Sequence, residues 1–414
     1  MMKKKILIIG GGITGCVCAI LLKKAGHEVT IYDARKNLGG ILNDITHKGN
    51  LFFRGVQYFD IKNLWFKEIY KLCKKDLKIF DHTYGSYTEF NNNIIATNDY
   101  AIPVVKKILI KKNNQKLKNT LTDRFNFYSP GIRNFMSRLV KKFNLNPSKL
   151  FFESSQSLQL LRVASKDNED DMLRYKQKSK IYDDIYAIKR SRINSLYLKA
   201  SLPKNSFNNF FLNLYAKLKH HGIKIELQKK INPIWEKNNL KIFHKGKEII
   251  SDFVFWTGNP TELIKNYNRK KLDSLSTRIL IINADLKNNL QETKYIQVFS
   301  IKTKIIKIYM YSVNNKYKIS IESIYEKNIN KEKIIKDALN ILKQFKIKLS
   351  IDKSSINSTI DIRYNIVSKN DYKTISQFLN MTSNSNLISG SWLKYSRDER
   401  IELSVQNLKK NNLI

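Results

Sequence analysis

The chain is most tightly constrained at Gly10-Gly11-Gly12-Ile13-Thr14-Gly15, which satisfies the spacing G-x-G-x-x-G. Residues 5–9 before it, Lys-Ile-Leu-Ile-Ile, read as a buried strand. Residues 16–25 read as a helix, with Gly26 at the position just past the end that helices favour. Residues 28–32 read as a second strand, ending in Asp33, 18 residues after Gly15. The three glycines differ in what they do physically. The first permits the tight turn, the second lets a pyrophosphate approach the backbone, and the third lets helix and strand pack closely. The helix start offers N–H groups and the positive dipole end to an anion, and Asp33 can accept hydrogen bonds from ribose hydroxyls. This βαβ half-unit predicts an α/β fold with a dinucleotide site.

The 414 residues allow two or three domains, and 42% hydrophobic residues suffice for packed cores. With 6 Pro and 15 Gly the chain is neither fibrous nor disordered in composition. Lys and Arg number 75 against 35 Asp and Glu, a formal charge of +40. The basic residues are spread in short runs through a chain rich in Lys, Asn and Ile, a pattern of compositional drift with some bias toward anionic ligands. The partner expected is a small-molecule substrate, anionic or a nucleotide sugar. A peripheral contact with an anionic membrane is compatible with the charge, and no nucleic acid is expected. Cys16, Cys18 and Cys73 make no disulfide framework and suit a reducing cytoplasm. Lys3-Lys4-Lys5 and the apolar run after it mimic a signal peptide, but three glycines interrupt the run and no small-residue cleavage site follows. No stretch is long and apolar enough to span a membrane.

Further along, residues 51–80 read as a strand and an amphipathic helix, residues 84–102 as short strands around Asn91-Asn92-Asn93, and residues 130–143 and 147–161 as helices. Residues 166–186 are highly charged and read as a surface excursion. Residues 207–220 read as a helix, 277–324 as an antiparallel sheet, 331–345 as a helix, and the tail as a strand at 386–389 and a helix from about Arg400. The six histidines show no metal-ligand spacing, so no metal is expected, and neither G-x-S-x-G nor H-E-x-x-H occurs.

A second glycine pair follows the acid in Asp33-Ala34-Arg35-Lys36-Asn37-Leu38-Gly39-Gly40. Here the chain resembles the flavin amine oxidase superfamily, which includes amine oxidases, protoporphyrinogen oxidases, phytoene desaturases and the related UDP-galactopyranose mutases. The resemblance continues in order. Phe53-Arg54-Gly55-Val56-Gln57-Tyr58-Phe59 is similar to the segment that passes near the flavin ring. Pro203–Phe207 with the strand at 223–227, Ile231-Asn232-Pro233-Ile234, and residues 252–260 are similar to the second part of the cofactor domain. Asn386-Leu387-Ile388-Ser389-Gly390-Ser391-Trp392 resembles the last cofactor strand. Gln57 and Asp60 stand where the mutases carry histidines, and Ser391 stands where the family has Asp or Arg.

The resemblance implies FAD as cofactor, held by Gly10, Gly12, Ile13, Thr14, Gly15, Asp33, Ala34, Arg35, Gly39, Gly40, Ile41, Gly55, Val56, Gln57, Ile231, Thr257, Gly390, Ser391 and Ile401. It implies a Rossmann-like FAD-binding domain assembled from residues 1–60, 200–265 and 380–414. Residues 61–199 and 266–379 would form an inserted mixed α+β substrate domain with a helical lobe. Amine oxidases often hold a lysine near flavin N5, a place that Lys302 or Lys304 could take, but in so basic a chain both read first as surface lysines. Tyr395 and Arg397 either reach the active site or decorate a loop. Trp256 and Trp392 either line the cofactor or fill core. The expected activity is hydride transfer from a C–N or C–C bond to flavin N5. The alternatives are a mutase-like flavoenzyme acting on a nucleotide sugar in surface-polysaccharide synthesis, and a basic anion-binding protein using the fold as scaffold. No catalytic side chain is singled out.

Overall fold

A computed structural model describes residues 2–90, 92–98, 102–103, 120–126, 128–154, 158, 163–164, 174, 177–178, 197–273, 275–290, 292–394 and 396–414. β1 (Lys5–Ile9), α1 (Ile13–Lys24) and β2 (Glu28–Asp33) stand where the glycine spacing predicts them. Ile6 to Ile9 are all buried, the mark of a strand covered on both faces. β1 pairs in parallel with β2 on one side and with the strand Phe253–Trp256 on the other. Lys224–Leu227 extends the sheet beyond β2, and Leu387–Ser389 extends it beyond Phe253–Trp256, both in parallel. A five-stranded parallel sheet thus gathers strands from three distant parts of the chain. The helix Arg397–Lys410 packs against α1.

The helix Phe207–His220 packs into the same apolar core as α1 and the helix Arg397–Lys410, with Ile6, Ile8, Val29 and Ile31. Leu7, Ile9, Val254 and Trp256 belong to a second core with Leu240, Ile242, Leu263 and Ile264. In the helix Phe207–His220, the residues Phe207, Phe210, Phe211, Leu214 and Leu218 are buried at helical spacing. Its start is doubly capped: Ser206 Oγ accepts from Asn209 N at 2.9 Å, and the Asp44 carboxylate accepts from Phe207 N at 3.1 Å and Asn208 N at 2.7 Å.

Among the described residues the second sheet has nine strands. Thr293–Phe299, Ile305–Val313, Lys316–Ile324 and Leu275–Asp285 pair antiparallel, as the alternation over 277–324 predicts. Thr293–Phe299 also pairs in parallel with Leu77–Phe90, so the sheet is mixed. Leu77–Phe90 is a single long strand where short strands are expected. The two faces differ in chemistry. Ile296, Ile308, Ile321 and Ile282 are cross-strand neighbours on one face, packed against Ile334, Ala338, Ile341 and Leu342 of the helix Lys331–Gln344. The other face carries the row Tyr84, Tyr295, Tyr309, Ser320, Asn283 and Asn357, one per strand and each opposite the next. These six are buried too.

Residues 147–161 depart from the expected helix. Among the described residues a 3-10 turn at Pro147–Lys149 replaces a continuous helix, Leu150 and Phe151 then bridge to Ser368 and Thr120, and Leu158 N donates to Ser154 O at 3.1 Å. Phe151 stacks on Tyr372 with centroids 3.8 Å apart. Two adjacent apolar residues serve two different neighbours, which a helix could not arrange. Residues 155–157, 159–161 and most of 166–186 lie outside the described residues.

Gly15 shows how tightly the first layer is built. A Cβ there would lie 2.1 Å from the Gly10 carbonyl oxygen, a backbone atom that cannot swing aside. Replacing Gly15 by Ala should destabilise the chain by about 3 kcal/mol, from overpacking, with a lower melting temperature in a thermal scan.

Candidate dinucleotide site

The first glycine loop is held from three sides. Gly10 N donates to Tyr32 O at 2.9 Å, which continues the β1–β2 pairing into the turn. Thr257 Oγ1 donates to the carbonyls of Ile9 at 3.0 Å and Gly10 at 3.1 Å. Asp33 Oδ2 accepts from Gly11 N at 2.7 Å, and its Oδ1 accepts from Arg35 N at 2.7 Å. Both carboxylate oxygens are therefore fixed by backbone, and each keeps a further lone pair for a ligand hydroxyl.

The second glycine pair docks on the first loop. Gly39 N donates to Gly11 O at 2.9 Å, and Gly12 and Gly39 form a parallel bridge. Gly39 has φ +110°, and a Cβ on it would strike the Phe211 ring at 2.6 Å, so only glycine serves. Gly11 is also confined, since its Cβ would meet Leu38 Cδ2 at 2.5 Å. Gly12 is the exception. A Cβ there meets nothing within 4 Å, because this residue faces an open cavity of about 950 Å³. That volume lies near the upper end of the ~300–1,000 Å³ typical of ligand pockets.

Of the residues expected to hold the cofactor, Gly10, Gly12, Ile13, Thr14, Asp33, Ala34, Arg35, Gly39, Gly40, Ile41, Ile231 and Thr257 line this cavity. α1 starts at Gly12 without a side-chain cap and without an acid in its first turn, which leaves its dipole to an incoming anion. Ile41 is 75% exposed, an apolar side chain awaiting a covering partner. These features fit a dinucleotide lying along the two loops. Trp256 and Trp392 line the cavity as well as packing in the core, and Arg397 and Arg400, at the start of the helix Arg397–Lys410, line it too.

Other expected residues lie elsewhere. Gly15 is beneath the loop, and Ile401 is fully buried in the apolar core. Gly390 N donates to Trp256 O at 2.9 Å; Ser391 has φ +57° and a buried hydroxyl without a hydrogen-bond partner. Gly55, Val56 and Gln57 form a turn against the second sheet, and Gln57 Nε2 donates to the Ile41 carbonyl at 2.9 Å. Tyr395 lies outside the described residues.

Lys302 and Lys304 take the surface reading rather than a place near flavin N5. Lys302 and Lys304 sit at the turn before Ile305–Val313, paired with Glu89 and Glu326, with side chains 62% and 41% exposed. In that strand the buried lysine is Lys307, which faces Glu322. Its burial pulls its pKa below the usual lysine range, while Glu322 opposes the shift. The alternation could have pointed to it, since Lys307 shares a face with Tyr309 and Tyr311. Cys16 and Cys18 are both fully buried, and burial pushes their thiols far above the ordinary range. His82 is buried among Tyr58, Tyr84 and Tyr309, its pKa lowered to about 3 by desolvation, so it is neutral at physiological pH. No cluster of metal-binding side chains occurs among the described residues. Lys229, Lys230 and Asp371 also line the cavity and carried no sequence signal beyond their neighbours.

With this geometry in place, the class is that of a protein with two large sheets built on a Rossmann-like dinucleotide loop. A family profile described as an NAD(P)-binding Rossmann-like domain matches residues 8–73. The chain is 25% identical over 178 residues to a 4,4'-diapophytoene desaturase (4,4'-diaponeurosporene-forming) of Staphylococcus aureus, a match covering 41% of this chain and 34% of the relative. It thus spans about a third of the length of the curated relatives it matches. A reduced UDP-galactopyranose mutase structure superposes with a TM-score of 0.67 at 12% identity, covering 98% of this chain and 95% of the other. A candidate protoporphyrinogen oxidase from Exiguobacterium sp. 255-15 gives 0.63 at 12% identity over 100% and 99%. A putrescine oxidase redesigned in cofactor binding gives 0.61 at 10% identity over 99% and 98%. The fold is the one these solved structures share.

The loop geometry gives Gly12 and Gly15 different roles. Gly12→Ala should leave the stability of the cofactor-free protein within about 1 kcal/mol of the parent in a thermal scan. The added methyl enters the cavity, so FAD affinity measured by flavin-fluorescence titration should fall at least tenfold.

Proposed function

We propose that the chain is an FAD-dependent oxidoreductase that oxidises a small molecule at a C–N or C–C bond. The observation that carries this reading is the docking of Gly39 on Gly11 and Gly12, which lays two glycine loops along one cavity. Gly12, Ile13 and Thr14 at the start of α1 would receive the pyrophosphate, and Asp33 the adenosine ribose. Ile231 would meet the adenine through its backbone. Arg397 and Arg400 would place positive charge at the far end, favouring negative charge on a reduced flavin. Bound FAD supplies two-electron chemistry by accepting a hydride at N5; the chain's share is to bind, orient and tune it.

The excess of basic residues favours an anionic substrate. No helix among the described residues is long and apolar enough to cross a membrane. Three buried free cysteines accord with a reducing compartment, and we place the protein in the cytoplasm. A second reading, a redox-neutral mutase acting on a nucleotide sugar, draws on Arg54 and Arg363, cations that could meet a diphosphate. Both are paired with acids, at Asp361 and Glu322, so it ranks second.

Purified protein given FAD should become yellow, with flavin absorbance bands that bleach anaerobically on addition of an amine or alkene substrate. Protein that stays colourless with added FAD contradicts both readings. Turnover confined to reduced flavin and a UDP-sugar would establish the second.

A further inference from the structure

The turn Arg54–Val56 lies between two bodies of structure. On one side it meets the cofactor loop: Arg54 N donates to Asn43 O at 3.3 Å, and Gln57 Nε2 donates to Ile41 O at 2.9 Å and Arg54 O at 3.1 Å. Ile41 lines the cavity. On the other side it meets the polar face of the second sheet. Val56 N donates to Glu322 Oε1 at 2.9 Å, and Arg363 Nη2 donates to Arg54 O. Arg363 Nη1 lies 3.1 Å from the same Glu322 oxygen, Lys307 Nζ lies 3.4 Å from Oε2, and Asp361 joins Arg54 at 3.3 Å to Arg363 at 3.0 Å.

We infer that Glu322 is a positioning residue that sets the shape of the Arg54–Val56 turn and, through it, of the cofactor cavity. The carboxylate is fully buried, and Gly55 is shaped around it: φ is +78°, and a Cβ would lie 2.3 Å from Glu322 Oε1 and 2.9 Å from Arg363 Nη1. Buried ion pairs are a poor source of stability, since well-packed apolar residues of the same volume often do as well. What this network supplies is direction. A carboxylate held by two cations presents one oxygen to one backbone N–H, at a turn with no regular strand or helix partner of its own. Lys307 and Arg363 both face the Glu322 carboxylate, and Glu322, Lys307, Arg363, Arg54 and Asp361 sum to one positive formal charge beside the turn.

This inference rests on the FAD reading only for its effect on the cofactor, so its two parts are measured separately. Hydrogen exchange reports the turn without any cofactor. In Glu322→Ala the backbone amides of residues 54–57 should exchange at least tenfold faster than in the parent, while those of β1 and α1 stay unchanged. Glu322→Gln keeps the accepting oxygen and should restore exchange to within about threefold. FAD titration of the same proteins should show affinity lost at least tenfold in Glu322→Ala and largely recovered in Glu322→Gln. Should Glu322→Ala fail to fold, Arg363→Gln removes the grip on Arg54 O from a partly exposed position and should give a smaller rise in exchange at the same amides. Unchanged exchange at 54–57 in the folded variants overturns the inference. Faster exchange with parental FAD affinity overturns the link to the cofactor cavity. A parent protein that takes up no FAD overturns the FAD reading, while the exchange result still decides the role of Glu322 in the turn.

Discussion

The contact on which the rest depends is the meeting of Gly39 with Gly11 and Gly12. One hydrogen bond, from Gly39 N to Gly11 O, and one parallel bridge bring two loops, separated by α1 and β2, into a single wall. Everything around that contact is spaced to permit it. Leu38 fills the space beside Gly11, Phe211 fills the space beside Gly39, and Asp33 ties Gly11 to the start of the Arg35 segment. Of the glycines in the first loop, Gly12 is the one where an added Cβ would meet nothing within 4 Å. The same crowding that forbids side chains at the neighbouring glycines keeps the one free glycine where a pyrophosphate can approach it.

The second sheet solves a different problem. Its apolar face packs on the helix Lys331–Gln344 in the ordinary way, while its other face buries tyrosines, an asparagine pair and a charged network. Burying polar groups costs free energy unless each finds a partner, at roughly 1–3 kcal/mol per unsatisfied group. A face that accepts this cost is built for more than cohesion, and the turn Arg54–Val56 is where it reaches the segment that carries Ile41.

Much of the first layer was legible because its determinants are local. Gly10, Gly12, Gly15 and Asp33 lie within 24 residues, and their spacing alone specifies a strand, a turn, a helix and a second strand. The glycine pair at 39–40 was legible only through family resemblance, since no local rule says that it folds back on Gly11. Long-range pairing defeated local reading elsewhere. The strand Leu77–Phe90 pairs in parallel with a segment more than 200 residues away, so nothing near it signals its length. The strand Asn357–Ile366 and the helix Lys369–Met381 went unread, although Ser368 and Asp371 spell a capping box. Lys302 and Lys304 lie in the expected sheet, and the basic composition already favours the surface for both. Burial, which distinguishes Lys307, follows from the register of the sheet rather than from composition.

The central claim is that the two docked loops hold a flavin dinucleotide through its pyrophosphate and adenosine. Calorimetric titration of the cofactor-free protein with FAD, FMN and NAD+ tests it directly. The account predicts one site per chain for FAD, with FMN, which lacks the pyrophosphate bridge and adenosine, and NAD+, which lacks the flavin, each bound at least a hundredfold more weakly. Equal affinity for FMN and FAD, or preference for NAD+, would contradict it.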